Sequence, residues 1–235
     1  MTHRIFQTGT LYVVATPIGN LGDISQRAIE TLRHVDLIAS EDTRVVRKLL
    51  ERYDIHTPLI SLFEHNEERR VPKLLEHLEA GKDVALVSDA GTPLISDPGY
   101  HLVREVAAKA IRVSPIPGPS AVITALSVAG VPMDRFTFVG FLSRKSAKRK
   151  RELQQLAELS HTLVIFESPH RILKTLRDME EVMGDRLVVL CRELTKSFEE
   201  ILRGTPSELI KGLSDRKIKG EITLVVSREG KVSLD

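Results

Sequence analysis

Short runs of Val, Ile and Leu alternate along the first half of the chain with longer amphipathic segments. The short runs predict five strands, at 11–15, 37–40, 59–62, 84–88 and 111–115. The segments between them repeat apolar residues at helical spacing and predict helices at 26–34, 45–53, 70–80 and 100–108. Strands that are apolar throughout and separated by helices are typical of a mostly parallel sheet covered on both faces.

The second half follows the same alternation less regularly. It predicts strands at 136–140, 162–167, 187–191, 199–203 and 221–227, and helices at 121–129, 147–159, 171–183 and 206–212. Two successive strands have no convincing helix between them, which favours a mixed sheet. We therefore predict two α/β domains, residues 1–120 with a mostly parallel five-stranded sheet and residues 121–235 with a mixed five-stranded sheet.

The spacing of the glycines excludes two common phosphate-binding loops. No two of the 14 glycines stand as G-x-G, so the dinucleotide fingerprint is absent, and so is the G-x-x-x-x-G-K-[ST] loop. Loops rich in Gly and Pro instead follow predicted strands, at 15–20, 88–99 and 115–121. Any one of them is explained by a tight turn, but together they predict a ligand-binding rim at the carboxyl ends of the strands.

Composition narrows the choice of partner. The net charge is only +2, and the ten aromatic residues include no Trp, which disfavours recognition of nucleic acid mainly by stacking. The single cysteine, Cys191, excludes an internal disulfide and Cys-rich zinc sites and predicts a buried apolar residue. The apolar stretch near the N-terminus is too short for a signal peptide or a membrane span, so we predict a cytoplasmic protein that does not enter the membrane.

A series of motifs carries a family resemblance. In chain order they are LYVVATPIGNLGDIS, LIASEDTR, LVSDAGTPLISDPG, PGPSAVITALSVAG, FESPHR, RELTK and KGEITLVV. They resemble the motifs of the ribose-2′-O-methyltransferases that modify a cytidine of small-subunit (16S) ribosomal RNA, within the tetrapyrrole methylase superfamily. The resemblance runs from Leu11 to Ser227.

The resemblance implies a methyltransferase that uses S-adenosylmethionine, held in a cleft between the two domains. Related proteins carry G-D-P after the fourth strand, where this chain has Gly91, Thr92 and Pro93, so Asp89 becomes the substitute carboxylate. The cofactor contacts implied by matching positions are Pro17, Asp89, Gly91, Thr92, Ile95, Ser120, Ala121, Phe166, Leu194, Gly220 and Ile222.

Two polar loops after the second and third strands are the candidates for the acceptor side. Glu41, Asp42 and Arg44 come first, and His65 and Asn66 follow. A carboxylate there would accept the proton of a hydroxyl, and Arg44 would hold a phosphate. The alternatives are a helix cap made by Ser40 or Asp42 and an ordinary solvated histidine. No metal-ligand spacing is present, so no metal is predicted.

A basic run holds six positive charges between Arg144 and Arg151. Such a run is often only a solvated face, but in an RNA-modifying protein it predicts phosphate contacts, made by Arg144, Lys145, Lys148, Arg149 and Arg151. The expected partner is small-subunit ribosomal RNA, either free or in the assembled 30S subunit.

The family resemblance leaves several further expectations. A homodimer is expected, together with a small helical extension after the last strand, although the sequence ends at Asp235. The alternative functions are methylation of a tetrapyrrole or another small molecule, and a non-catalytic module that binds RNA or cofactor.

Overall fold

A computed structural model describes residues 8–230. The chain divides into two compact units, with the boundary between Ser120 and Ala121. We call them the N-terminal and the C-terminal unit.

The N-terminal unit is built on a parallel sheet. Its strands are β1 (Leu11–Val14), β2 (Leu37–Ser40), β3 (Leu59–Ser61), β4 (Val84–Val87) and β5 (Val113–Ile116). Their order is β3-β2-β4-β1-β5, and each neighbouring pair is parallel. The helices are α1 (Gln26–His34), α2 (Thr43–Arg52), α3 (Glu67–Glu79) and α4 (Tyr100–Ala108), with a short 3₁₀ helix at Leu21–Asp23.

Successive side chains of this sheet enter two different cores. Ala85 and Val87 of β4 pack in the cluster that contains α1 and α2, whereas Val84 and Leu86 pack with α3 and α4. Since α1 follows β1 and α4 follows the adjacent β4, the chain leaves these two strands toward opposite faces. In α/β sheets, ligands bind at the carboxyl ends of strands where the connections diverge in this way.

The C-terminal unit has a mixed sheet. Its elements are α5 (Ala121–Ala129), β6 (Phe136–Phe141), α6 (Ser146–Ala157), β7 (Thr162–Glu167), α7 (Ile172–Met183), β8 (Arg186–Arg192), β9 (Glu200–Gly204), α8 (Pro206–Leu213) and β10 (Ile222–Gly230). The order is β6-β7-β10-β8-β9, parallel between β6 and β7 and antiparallel elsewhere. The predicted fold class, one parallel and one mixed α/β sheet, is confirmed.

Among the helices that begin earlier than predicted, α2 and α3 differ most, for local reasons. Asp42 accepts the amide of Arg44 and caps α2, so that α2 starts at Thr43. The carbonyl of Asn66 accepts the amides of Arg69 and Arg70, so that α3 starts upstream of its internal Pro72. Among residues 8–230, no helix is long and apolar enough to cross a membrane.

Candidate functional site

Three loops meet at the carboxyl edge of the parallel sheet. Thr16, after β1, and Gly91, after β4, exchange backbone hydrogen bonds of 2.9 and 3.0 Å. The hydroxyl of Thr92 donates to the carbonyl of Pro119, after β5, at 3.3 Å. The three loops predicted to form one rim are thus joined by hydrogen bonds within the N-terminal unit.

Residues 88–99, which we call the β4 loop, have an unusual backbone. Leu94 (φ 73°) and Ser96 (φ 66°) adopt the left-handed conformation on either side of Ile95. Left-handed backbone costs about 1–2 kcal/mol at a non-glycine residue and is held only where the surroundings enforce it. The bend leaves the Ile95 side chain 43% exposed.

The other predicted cofactor residues of this unit differ in accessibility. Pro17 and Gly91 are buried, whereas Asp89 and Thr92 are half-buried. Gly91 has a φ of +83°, and an added Cβ would lie 3.3 Å from Cγ2 of Ile18. Ser120 and Ala121, both half-buried, stand at the boundary of the two units, where α5 begins.

The residues predicted to contact the cofactor in the C-terminal unit are either buried or half-buried. Phe166 packs edge-on against Phe138 and Phe141, with ring centroids 4.9 and 5.7 Å away. Leu194 is only 7% exposed, and Ile222 lies in the core of the mixed sheet. Ile222 is paired on both sides within the sheet, so neither its side chain nor its ladder positions are open to a ligand.

Residues 193–199, which we call the β8 loop, are locked to the segment before β10. The carboxylate of Glu193 accepts a hydrogen bond of 2.8 Å from the Lys196 ammonium and one of 2.9 Å from the Glu221 amide. Gly220 has a φ of +89°, and an added Cβ would lie 2.3 Å from Cδ of Glu193. A side chain at position 220 would therefore displace the Glu193 carboxylate from these two hydrogen bonds.

Three half-buried carboxyl groups gather between the loops that follow β2 and β4. Burial, and then the charges of Asp89, Asp97 and Asp42, raise the pKa of Glu41. Burial also raises the pKa of Asp89, although a hydrogen bond of 2.9 Å from the Asp42 amide acts to lower it. The pKa of Asp97 is raised by burial in the same way, although a hydrogen bond from the Ser88 side chain acts to lower it. Groups with pKa values moved toward neutrality are suited to proton transfer.

Asp42 and Arg44 are paired with each other. The Arg44 guanidinium lies 2.6 Å from the Asp42 carboxylate, and its hydrogen bond lowers the pKa of Asp42 to about 2. Asp42 is thus the helix cap that the sequence offered as an alternative, and it is a weaker base than Glu41. The Arg44 side chain is 86% exposed and can reach an external anion.

The two candidates after β3 have different surroundings. Asn66 is buried, accepts the Phe63 amide at 2.9 Å and donates to the Ser61 carbonyl at 3.2 Å. Its amide is therefore committed to holding the turn before α3. His65 is exposed and lies edge-on to Phe63.

A cavity of about 330 Å³ contains functional groups that the sequence reasoning did not single out. Its lining includes Asp97, Tyr100 and His101 as well as Glu41 and Glu64. The signal that would have identified them is their position, since they close the loop after β4 and open the helix that follows. Among residues 8–230, no group of three or more His, Cys, Asp or Glu side chains is arranged to hold a metal ion.

The basic run forms the start of α6 and is not uniformly exposed. Arg144, Lys145, Lys148 and Arg151 are exposed. Arg149 is buried, forms an ion pair of 2.6 Å with Asp178 of α7 and donates to the carbonyl of Ser143 at 3.1 Å. The prediction that Arg149 contacts RNA is wrong for this structure, because its guanidinium is buried and already bound.

Comparisons with known proteins agree with this architecture. A family model described as Tetrapyrrole (Corrin/Porphyrin) Methylases matches residues 10–210. A Haemophilus influenzae protein named "Ribosomal RNA small subunit methyltransferase I" is 52% identical over 97% of this chain and 81% of that protein. A Bacillus subtilis protein of the same name is 47% identical over 97% of this chain and 78% of that protein.

Solved structures show the same fold at low sequence identity. A cobalt precorrin-4 methyltransferase superposes with a TM-score of 0.70 at 19% identity, covering 93% of this chain and 94% of the other. A diphthine synthase gives 0.74 at 16% identity, covering 95% and 92%. The family resemblance inferred from the motifs is thereby confirmed. Because the family model spans well over half of the sequence, this chain belongs to the tetrapyrrole methylase family.

Proposed function

We propose that the chain is an S-adenosylmethionine-dependent methyltransferase that methylates the ribose 2′-hydroxyl of a cytidine in small-subunit ribosomal RNA. The observation that carries this proposal is the identity of about 50% with proteins named for small-subunit ribosomal RNA methylation, over nearly the whole chain. A cytoplasmic location and a homodimer, both expected from the sequence, are part of the same proposal.

The joined loops of the N-terminal unit suit S-adenosylmethionine. The cofactor has a planar aromatic base whose faces pack on apolar surfaces, ribose hydroxyls and a charged amino-acid end. The exposed Ile95 offers an apolar surface, the Asp89 carboxylate an acceptor, and the buried Gly91 a close backbone approach. In the C-terminal unit, the proposed contacts are Phe166 and the backbone beside Leu194 and Gly220. The buried Ile222 packs in the core of the mixed sheet.

Residues of the chain would supply positioning and proton transfer. When bound, S-adenosylmethionine provides a methyl group that its positively charged sulfur activates for attack. The protein has to hold the acceptor hydroxyl in line and take its proton. Glu41 is the proposed base, because burial and neighbouring carboxylates raise its pKa. Arg44, the exposed member of its ion pair, is the proposed phosphate contact, and the exposed His65, in the loop after β3, is the second candidate.

Methyl transfer tests this proposal directly. Purified protein is incubated with labelled S-adenosylmethionine and either unmodified small subunits or deproteinised RNA, and nucleosides are identified after digestion. We expect 2′-O-methylcytidine, and we expect Glu41→Gln to lower kcat about 100-fold or more while cofactor affinity stays within about twofold. Glu51→Gln, at an exposed site in the last turn of α2, is the matched control. Absence of transfer to both RNAs would defeat the proposal.

The exposed basic residues are tested by measuring RNA binding at several salt concentrations. Lys148→Ala with Arg151→Ala should weaken RNA binding and reduce the salt dependence of log K by about one unit for each phosphate that is no longer neutralised. The control pair is Lys48→Ala with Arg52→Ala, on the exposed face of α2. Equal salt slopes for the two pairs would contradict an RNA role for α6.

A further inference from the structure

Tyr100 is an exposed aromatic residue that lines the 330 Å³ cavity. Its side chain is 61% exposed, although it opens α4, a helix whose other face packs in the core through Leu102 and Val106. His101 lies edge-on to the ring at 5.7 Å, and the Arg104 guanidinium lies 5.9 Å from its centroid. The ring is therefore supported by neighbours and still open to a ligand.

The start of α4 is fixed by a buried carboxylate. Glu67, in the first turn of α3, is 6% exposed and accepts the Gly99 amide at 2.7 Å. The same carboxylate lies 3.8 Å from Nε2 of His101. This hydrogen bond connects α3 to the residue directly before Tyr100, so the ring has a defined position beside the cavity.

The cavity also offers hydrogen-bond acceptors. Asp97 and Glu41 line it, and no described Lys, Arg or His side chain lies within 4.0 Å of either carboxylate. A second cavity of about 710 Å³ shares Glu64 and His101 with the first and extends along α3 and α4 to Arg104. The two cavities thus combine an exposed ring with two carboxylates that no described side chain pairs with as an ion. Arg104, which lines the second cavity beside the ring, is itself paired with Glu105 at 2.7 Å.

This combination favours a base that carries an exocyclic amine, such as cytosine, over uracil. Aromatic rings stack on bases that have left a helix, and carboxylates accept hydrogen bonds from the exocyclic amine of cytosine. Uracil presents a carbonyl at the same position, which a carboxylate repels. The small number of aromatic residues is no obstacle, since one base needs only one ring.

We infer that Tyr100 and Asp97 are the specificity residues for the acceptor nucleotide: the ring of Tyr100 stacks on its base, and the Asp97 carboxylate accepts its exocyclic amine. This inference rests on the proposed function and names the substrate group that the cavity receives. Glu41, in the same cavity, then faces the ribose of the nucleotide whose base is held.

Kinetics on two RNA substrates test the inference. The substrates are small-subunit RNA with the natural cytidine or a uridine at the methylated position. Tyr100→Ala and Tyr100→Leu should lower kcat/KM for RNA about 10- to 100-fold, Tyr100→Phe should retain it, and cofactor affinity should not change. Asp97→Asn should raise the uridine-to-cytidine ratio of kcat/KM at least about tenfold, because an amide donates to the uracil carbonyl.

A control variant and the results that would overturn the inference complete this test. Arg52 also lies over a tyrosine ring, Tyr53, at 6.0 Å, but at the end of α2 and so at the other edge of the sheet. Arg52→Ala should leave kcat/KM unchanged. Normal kcat/KM in Tyr100→Leu, or an unchanged base preference in Asp97→Asn, would overturn the inference while leaving the proposed function standing. Absence of methyl transfer by the unaltered protein would overturn both.

Discussion

The β4 loop and the β8 loop each hold an aliphatic residue between two residues in the left-handed conformation. In the β4 loop, Leu94 and Ser96 flank Ile95, which is 43% exposed. In the β8 loop, Glu193 and Thr195 flank Leu194, which is 7% exposed. The same backbone device therefore presents a side chain to solvent in one unit and inserts one into the core in the other.

The carboxyl groups of the two loops also differ, in the direction in which their pKa values are shifted. Asp89 and Asp97 of the β4 loop have raised pKa values, caused first by burial. Burial alone would also raise the pKa of Glu193 in the β8 loop, but hydrogen bonds from the Lys196 side chain and the Glu221 amide lower it. The β4 loop keeps groups available for chemistry, whereas the β8 loop uses its charges to hold itself in place.

The largest expected difference is between Gly220, which packs against the β8 loop, and Gly91 of the β4 loop. Gly220→Ala would bring a Cβ within 2.3 Å of Glu193 and displace a carboxylate that holds Lys196 and Glu221. With the left-handed backbone this should cost about 3–5 kcal/mol of unfolding free energy. Gly91→Ala meets only a methyl group of Ile18 at 3.3 Å and should cost about 1–2 kcal/mol.

Urea unfolding followed by circular dichroism measures both changes. Gly212→Ala is the control, because this glycine lies inside α8 with open space around it, and alanine there should stabilise the chain by about 0.5–1 kcal/mol. A Gly220→Ala protein as stable as Gly91→Ala would mean that Glu193 does not lock the β8 loop.

The second difference separates stability from ligand binding. Leu194→Ala removes a buried side chain and should cost about 2–3 kcal/mol of unfolding free energy. Ile95→Ala removes an exposed one and should change that free energy by no more than about 0.5 kcal/mol, while weakening S-adenosylmethionine binding about fivefold or more. Calorimetric titration gives the cofactor affinity, and urea unfolding gives the stability.

Cys191 provides an independent readout of the β8 loop. It is the one cysteine of the chain and is 1% exposed at the end of β8, and burial raises the pKa of its thiol to about 11. Leu194→Ala should accelerate its reaction with a thiol reagent under native conditions, and Ile95→Ala should not. Equal acceleration in both variants would contradict the contrast between the loops.

The fold was predictable because its signals are local. The boundaries predicted for α1, α4 and α5 match the structure, since an apolar face with helical spacing specifies a helix wherever it packs. β10 extends to Gly230, beyond the predicted 227, because its antiparallel pairing with β8 continues past Val226. Only the partner strand determines where such a strand ends.

For the candidate site, the sequence allowed prediction of the loops but not of the side chains that they expose. Glycine and proline clusters identified the rim, but the side chains that open from it depend on contacts between elements distant in sequence, such as Glu67 with Gly99. Arg149 shows the opposite error, since a run of charges conceals which member faces inward. Leu153 stands four residues later on the same buried face of α6, and that spacing was the available signal.

The smallest expected difference is in the response to pH. A carboxyl with a raised pKa binds its proton more tightly in the folded state, so the unfolding free energy falls as pH rises through the window above the unfolded value, 3.8 for Asp97. Asp97→Asn removes this penalty and should raise Tm at pH 7 by a few degrees. Glu193, whose pKa is lowered below 4.5, stabilises above that value and loses its contribution as pH falls further.

Glu193→Gln should accordingly lower Tm at pH 7, so the two substitutions act in opposite directions on the same scaffold. Both differences from the unaltered protein should shrink toward about pH 3, where the natural carboxyls are largely protonated in the unfolded chain. Thermal unfolding between pH 3 and 8 measures this convergence. A decrease of Tm in Asp97→Asn at pH 7 would mean that Asp97 is a structural hydrogen-bond partner, which would place the β4 loop in the same class as the β8 loop.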